Sequence, residues 1–247
     1  MASYYALTQA GFILVTIVYI GALLVFLRSA IRSSGLPVSK KNTVFNGIVF
    51  SLILWTGLIS VLSYLQVFND FTTIPPKFFI VLIIPLAVII WAVSRPATNE
   101  ILRHISPQKI IYLQSFRVFV EVLLWMLFID NLLPVQMTFE GYNFDILAGL
   151  TAPIIGWLIS RNSSARVMFV WNIVCLMLLV NIVTIAILST PVPFRVFMND
   201  PANTIVTQFP IVWLPGLLVP LAYTLHILSL KQAYMVQKGI TSPGSGT

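Results

Sequence analysis

Charge is the scarcest thing in this chain. Of its 247 residues only 9% are Asp, Glu, Lys or Arg, against about 25% in ordinary globular proteins. Such a chain cannot clothe a water-facing surface, so a water-soluble globular fold is excluded. Cysteine is nearly absent too: the single Cys175 lies inside an apolar run, which excludes a disulfide framework and any Cys-x-x-Cys metal spacing. Two histidines, His104 and His226, are too few for paired haem ligands or a two-iron cluster. HExxH, GxSxG, the P-loop and Asp-rich boxes are all missing, so hydrolysis and phosphoryl transfer lack their usual apparatus. Neither a cofactor nor a metal is expected. The last apolar run has no lysine midway along it, where a retinal Schiff base would need one; Lys231 stands at its end.

What the chain has in abundance is apolar sequence, 58% of residues with a mean hydropathy of +0.96. A spanning helix takes about 20 mostly apolar residues. Seven such runs lie near 6–27, 44–67, 77–94, 110–132, 144–160, 167–189 and 209–230, separated by charges, prolines or polar clusters. The expected fold is an all-α integral membrane protein, a seven-transmembrane-helix bundle forming one domain over 1–238. The Gly-, Ser- and Pro-rich tail 239–247 is expected to be disordered. No basic residue precedes the first run, which is also too long for the core of a signal peptide, so it is expected to be retained.

The net charge of +7 has a topological meaning, because the basic residues sit in short loops; nucleic acid is not an expected partner. Counting alternate loops, one side collects Arg28, Arg32, Lys40, Lys41, Arg95, Arg103, Lys109, Arg161, Arg166, Lys231 and Lys238 against the single acid Glu100. The other side has only Lys77 and Arg195, with Asp70, Asp130, Glu140, Asp145 and Asp200. Lys and Arg accumulate in cytoplasmic loops, which puts the N-terminus outside and the C-terminus in the cytoplasm, in the cytoplasmic membrane of a bacterium. An odd helix number also permits a three-plus-one-plus-three parallel repeat. At an offset of 135 the third and seventh runs pair Pro75 with Pro210, Leu82 with Leu217, Pro85-Leu86-Ala87 with Pro220-Leu221-Ala222, and Ser94 with Ser229. The other two helix pairs match little, and shared proline kinks account for the similarity as well as a repeat does.

Ionisable groups at membrane depth face a bundle interior and find partners. In the fourth run Gln114, Arg117 and Glu121 share one helical stripe, with Arg117 about 12 Å and Glu121 about 18 Å in from Lys109 at the helical rise. Spaced i, i+4, Arg117 and Glu121 are expected to pair. Counted from the basic residue at each helix end, Asn46, Asn172 and His226 lie at about the level of Arg117 or slightly shallower. That predicts a polar layer in the cytoplasmic half, drawn from four helices, and Tyr223 shares a face with His226. The candidate ligand-binding set is therefore Asn46, Gln114, Arg117, Glu121, Asn172, Tyr223 and His226. Asn181, on the opposite side of its helix from Asn172, is expected to serve packing.

Two further features have local readings. Pro210, Pro215 and Pro220 should kink or unwind the outer half of the seventh helix. In the outer segment 138–145, Asn143 or Asp145 is expected to cap the fifth helix, and Glu140 with Asp145 could also meet a cation. Beyond the bilayer itself, the partner this arrangement suggests is a small polar solute, bound or transported. A sensor or accessory protein that binds a ligand or membrane partner without transport is the alternative. An intramembrane enzyme acting on lipid, with Glu121 and His226 as acid and base, lacks a nucleophile or metal, so enzymatic activity is not expected.

Overall fold

The computed structural model describes residues 3–161 and 164–239, and no strand occurs among them. Helix α1 (Tyr5–Ser33) runs without proline and closes on Ser34, whose N–H reaches the carbonyls of Ala30 and Ile31. Pro37 then opens α2 (Val38–Tyr64). Helix α3 (Phe79–Val93) carries Pro85 in its interior. It stops before Arg95, which Pro96 biases to extended backbone (φ −76°, ψ 142°), and the chain turns by 76° into α4 (Pro96–Leu102). Helices α5 (Pro107–Leu113) and α6 (Phe116–Ile129) form one 23-residue apolar rod with a single break at Gln114–Ser115. Helices α7 (Ile146–Arg161), α8 (Ala165–Leu188) and α9 (Val219–Gln237) complete the order.

By length and composition five helices can cross a membrane: α1, α2, the α5–α6 rod, α8 and the segment Leu214–Gln237; α3 with α4 makes a sixth if the bent pair is one span. The chain is thus a helical membrane protein. Each of the seven expected runs coincides with a helix, but the 15-residue α3 and 16-residue α7 fall short of a full span on their own. The last run is displaced. Pro210 lies in the turn before the helix, which starts as a π-helical turn at Leu214–Leu218 and continues past Lys231 to Gln237. Lys231 Nζ donates to Val93 O at 2.5 Å, placing a cation on the C-terminal end of α3. Of the expected tail 239–247, residues 240–247 lie outside the described residues.

The proline cluster has its expected effect on backbone, and α2 compensates for it. Pro220 has no N–H for the carbonyl of Gly216 four residues back. Trp55 Nε1 donates to that carbonyl instead, at 2.9 Å. Ser63 Oγ donates to Thr207 O at 2.6 Å and Trp213 Nε1 to Ser60 Oγ at 2.9 Å, so α2 fastens the whole entry into α9. Gly216 permits the approach, since a Cβ there would lie 2.6 Å from Ile59 Cδ1.

Most of the buried apolar residues form one core between α1, α6, α8 and α9, including Phe12, Phe116, Leu124, Leu127, Leu218 and Leu225. Small residues bring α7 onto the α5–α6 rod. Ala148 and Ala152 are fully buried, a Cβ at Gly149 would stand 2.7 Å from the backbone N of Val118, and one at Gly156 would stand 2.5 Å from the Tyr112 ring. The outward faces of α1, α2 and α3 carry exposed Leu, Ile, Val and Phe, as lipid contact requires.

Candidate functional site

Polar side chains from α6, α8, α9 and the approach to α7 meet in one buried chain of hydrogen bonds. Arg117, 2% exposed, grips Asp145 through two nitrogens: Nε donates to Oδ2 at 2.6 Å and Nη2 to Oδ1. This fork-on-carboxylate geometry is the strongest arrangement open to an Arg–Asp pair. On its other side Arg117 Nη1 lies 2.8 Å from His226 Nε2. A guanidinium only donates, so His226 Nε2 accepts and the ring proton sits on Nδ1. That proton points at Asn172 Oδ1, 2.8 Å away. Asn172 then spends both amide hydrogens, on Met168 O at 2.7 Å and Ser229 Oγ at 2.8 Å. Trp171 lies against the His226 ring, with centroids 5.8 Å apart.

Glu121 does not pair with Arg117 as their spacing suggested. Its Oε2 accepts from Asn143 Nδ2 at 2.6 Å, and Asn143 Oδ1 accepts the backbone N–H of Asp145 at 3.0 Å. Asp145 is therefore the counter-ion of Arg117, and Asn143 joins that pair to Glu121. The fifth expected helix is short, so the residues before it sink into the bundle: Asn143 is fully buried and Asp145 5% exposed. Asn143 also donates to Met137 O at 3.0 Å, and its backbone N–H reaches Thr138 O; these bonds satisfy a loop that leaves the surface. Glu140 stays on the protein surface, accepting from Trp125 Nε1 at 2.6 Å.

The expected polar layer is thus assembled in part. Arg117, Asn172 and His226 meet in the chain of bonds, and Glu121 joins through Asn143. Gln114 is buried beside them, with Nε2 3.5 Å from Ala222 O and Oε1 without a hydrogen-bond partner among the described residues. Tyr223 is half-buried against the core. Asn46 stands apart on the exposed surface of α2: equal depth along a helix does not fix which way a side chain turns. Asn181, expected to serve packing, is exposed on α8 and donates to Tyr142 O at 2.9 Å. Asn143, Asp145 and Ser229 complete the network and were not among the expected site residues. The signal for Asp145 is an acid at the very start of the shortest apolar run, 144–160.

The loop that delivers Asn143 and Asp145 inward also walls a cleft of about 420 Å³, lined by Gln136, Glu140, Gly141, Tyr142, Phe197 and Asn199 among others. Gln136 bridges two loops there, donating to Ser189 Oγ at 2.9 Å and accepting from Asn199 Nδ2 at 2.8 Å. No group of three or more His, Cys, Asp or Glu suited to a metal occurs among the described residues.

Residues 75–234 match the model of a family described as a domain of unknown function, DUF8737, and the chain belongs to that family. The matched region contains every member of the buried network. No curated protein and no solved structure matches the chain.

Proposed function

We propose that this member of the DUF8737 family is a seven-helix protein of the bacterial cytoplasmic membrane that binds or moves a small polar solute at the Arg117 network. In this reading α3 and the short α7 serve as spans, the N-terminus is outside, and the basic loops lie in the cytoplasm. The observation that carries the proposal is the buried chain Asp145–Arg117–His226–Asn172–Ser229, to which four segments of the bundle contribute. Charged groups at such depth are costly and mark solute or ion pathways more often than they mark packing. Gln114 supports it: its buried carbonyl oxygen has no donor among the described residues, and a solute hydroxyl, amine or water would supply one. The cleft beside the 135–142 loop is the entry on the outer side.

The test is accessibility of Gln114. With Cys175 replaced by Ala, Gln114→Cys is treated with a small membrane-impermeant thiol reagent in vesicles of each orientation, and Lys40→Cys, exposed in the first turn of α2, serves as the accessible control. Labelling of Gln114→Cys from at least one side, slowed by a co-purifying solute found by native mass spectrometry, is the expected result. A position 114 that stays unlabelled from both sides while position 40 reacts overturns the reading. A fluorescent reporter active only in the cytoplasm, fused to the C-terminus, checks the orientation; a dark but fully expressed fusion overturns it.

A further inference from the structure

Two helices end in the same five-residue pattern. Helix α3 runs out through Trp91-Ala92-Val93-Ser94-Arg95 and α7 through Trp157-Leu158-Ile159-Ser160-Arg161. The geometry repeats along with the residues. Ser94 Oγ donates to Trp91 O and Ser160 Oγ to Trp157 O, both at 2.7 Å. The guanidinium of Arg95 lies 4.3 Å from the centre of the Trp91 ring, and that of Arg161 lies 4.7 Å from the Trp157 ring. We propose that these two corners are equivalent seats for the phosphate of an anionic membrane lipid.

Three observations point to that occupant. The first is charge. A guanidinium laid over an indole face keeps its N–H edges free for an oxyanion, and neither Arg95 nor Arg161 has a carboxylate partner among the described residues. Glu100, the single acid of the basic loops, is already occupied by the Gly35 N–H, Arg103 and His104. The counter-ion at these corners must therefore come from outside the chain.

The second is the surface above each corner. Trp91 and Trp157 are 58% and 49% exposed, and Ile90, Val88, Ile154 and Leu158 beside them are exposed as well. Such a surface takes an acyl chain while the Arg takes the headgroup, a combination a free phosphate ion cannot use. The third is level. At α3 the chain bends by 76° immediately after Arg95, and α7 ends at Arg161. Both guanidinium groups thus sit where an apolar helix ends, Arg95 at the bend into α4 and Arg161 at the last residue of α7, which with α3 and α7 as the spans proposed above is the depth of lipid phosphates.

The experiment counts bound lipid by native mass spectrometry on the full chain, titrated with phosphatidylglycerol or phosphatidylcholine. The wild type is expected to prefer phosphatidylglycerol at two sites. Arg95→Gln and Arg161→Gln should each weaken one site about fivefold, the value of one basic residue at an anionic surface, and the double variant should lose the preference. Retention of the preference in the double variant overturns the proposal. So does an equal loss in the exposed-lysine control Lys40→Gln, which signifies diffuse attraction, and so does displacement by millimolar inorganic phosphate, which signifies a free-anion site. A measurement on the unaltered protein stands beside these: brominated phosphatidylglycerol should quench tryptophan fluorescence more than brominated phosphatidylcholine, and equal quenching overturns the assignment.

Discussion

Replacing Asp145 tests the buried network most directly. Asp145→Ala leaves the Arg117 guanidinium without the carboxylate that takes two of its nitrogens, in a position only 2% exposed. Breaking one side of a buried ion pair costs about 3–5 kcal/mol, which for a chain of this size is a fall of about 6–20 °C in Tm. Arg117→Met should do comparable damage, because it strands Asp145 and leaves His226 Nε2 without its donor. The double variant Arg117→Met/Asp145→Leu removes both charges and fills the space with apolar atoms, and it should be more stable than Asp145→Ala. Glu121→Gln discriminates between partners. A Gln oxygen can still accept from Asn143 Nδ2, so its effect should stay within about 1 kcal/mol and should add to that of Arg117→Met. Thermal unfolding in detergent, followed by far-ultraviolet circular dichroism, gives the values for these four variants and for Asp145→Leu and Arg117→Met/Glu121→Gln, which complete the two cycles. Additive losses for Arg117 and Asp145, or strong coupling of Arg117 to Glu121, would refute the assignment of Asp145 as counter-ion.

Three further outcomes are expected. Gly149→Ala places a methyl 2.7 Å from the Val118 backbone N, so α7 must back away from α6 beside Arg117, at a cost of about 1–3 kcal/mol read from the same unfolding curves. Trp55→Phe keeps the ring but withdraws the donor to Gly216 O; orphaning that carbonyl costs about 1–3 kcal/mol, and hydrogen exchange should quicken around 214–220. In the loop before α3, hydrogen bonds from Thr72 and then Lys77 hold the Asp70 carboxyl down at about 2. A carboxyl depressed on folding stabilises fully above its unfolded value near 3.8 and stops doing so as pH falls through about 2. Asp70 observed by NMR should accordingly remain ionised at pH 3, and titration near 4 would contradict the bonding.

Helix placement was legible because apolar runs and charged breaks alternate so sharply that few residues are ambiguous. The ends were less so. The last helix starts late because proline at 210 belongs to a turn, and it ends late because Lys231, which looks like a terminus, donates to Val93 O across helices. Arg117, Asn172 and His226 are legible from their depth along their helices, but Asn46 is not, since the scattered polar residues of α2 form no stripe from which to read its inward face. Asp145 was missed for the opposite reason. It lies 28 positions from Arg117, in a segment that reads as an outside loop, and only the shortness of α7 reveals that this loop descends. Trp55 compensating for Pro220 could not be anticipated, because its bond to Gly216 O joins residues 161 positions apart and leaves no local pattern.

The unequal lengths of the helices give the molecule an uneven hydrophobic waist. At about 1.5 Å per residue, the apolar stretch 6–27 of α1 reaches about 33 Å, whereas the 16 residues of α7 reach only about 24 Å, less than the roughly 30 Å hydrocarbon core of a bilayer. On the α7 flank the missing height is filled by the loop carrying Asn143 and Asp145, so lipid there meets a short apolar wall topped by polar chain. With α7 as the span proposed above, a bilayer next to that flank must thin or admit water from one leaflet, while the α1 flank matches its ordinary thickness. In that arrangement the protein imposes a gradient of membrane thickness across its own width, and neighbouring proteins or lipids of different length are sorted to different sides of it.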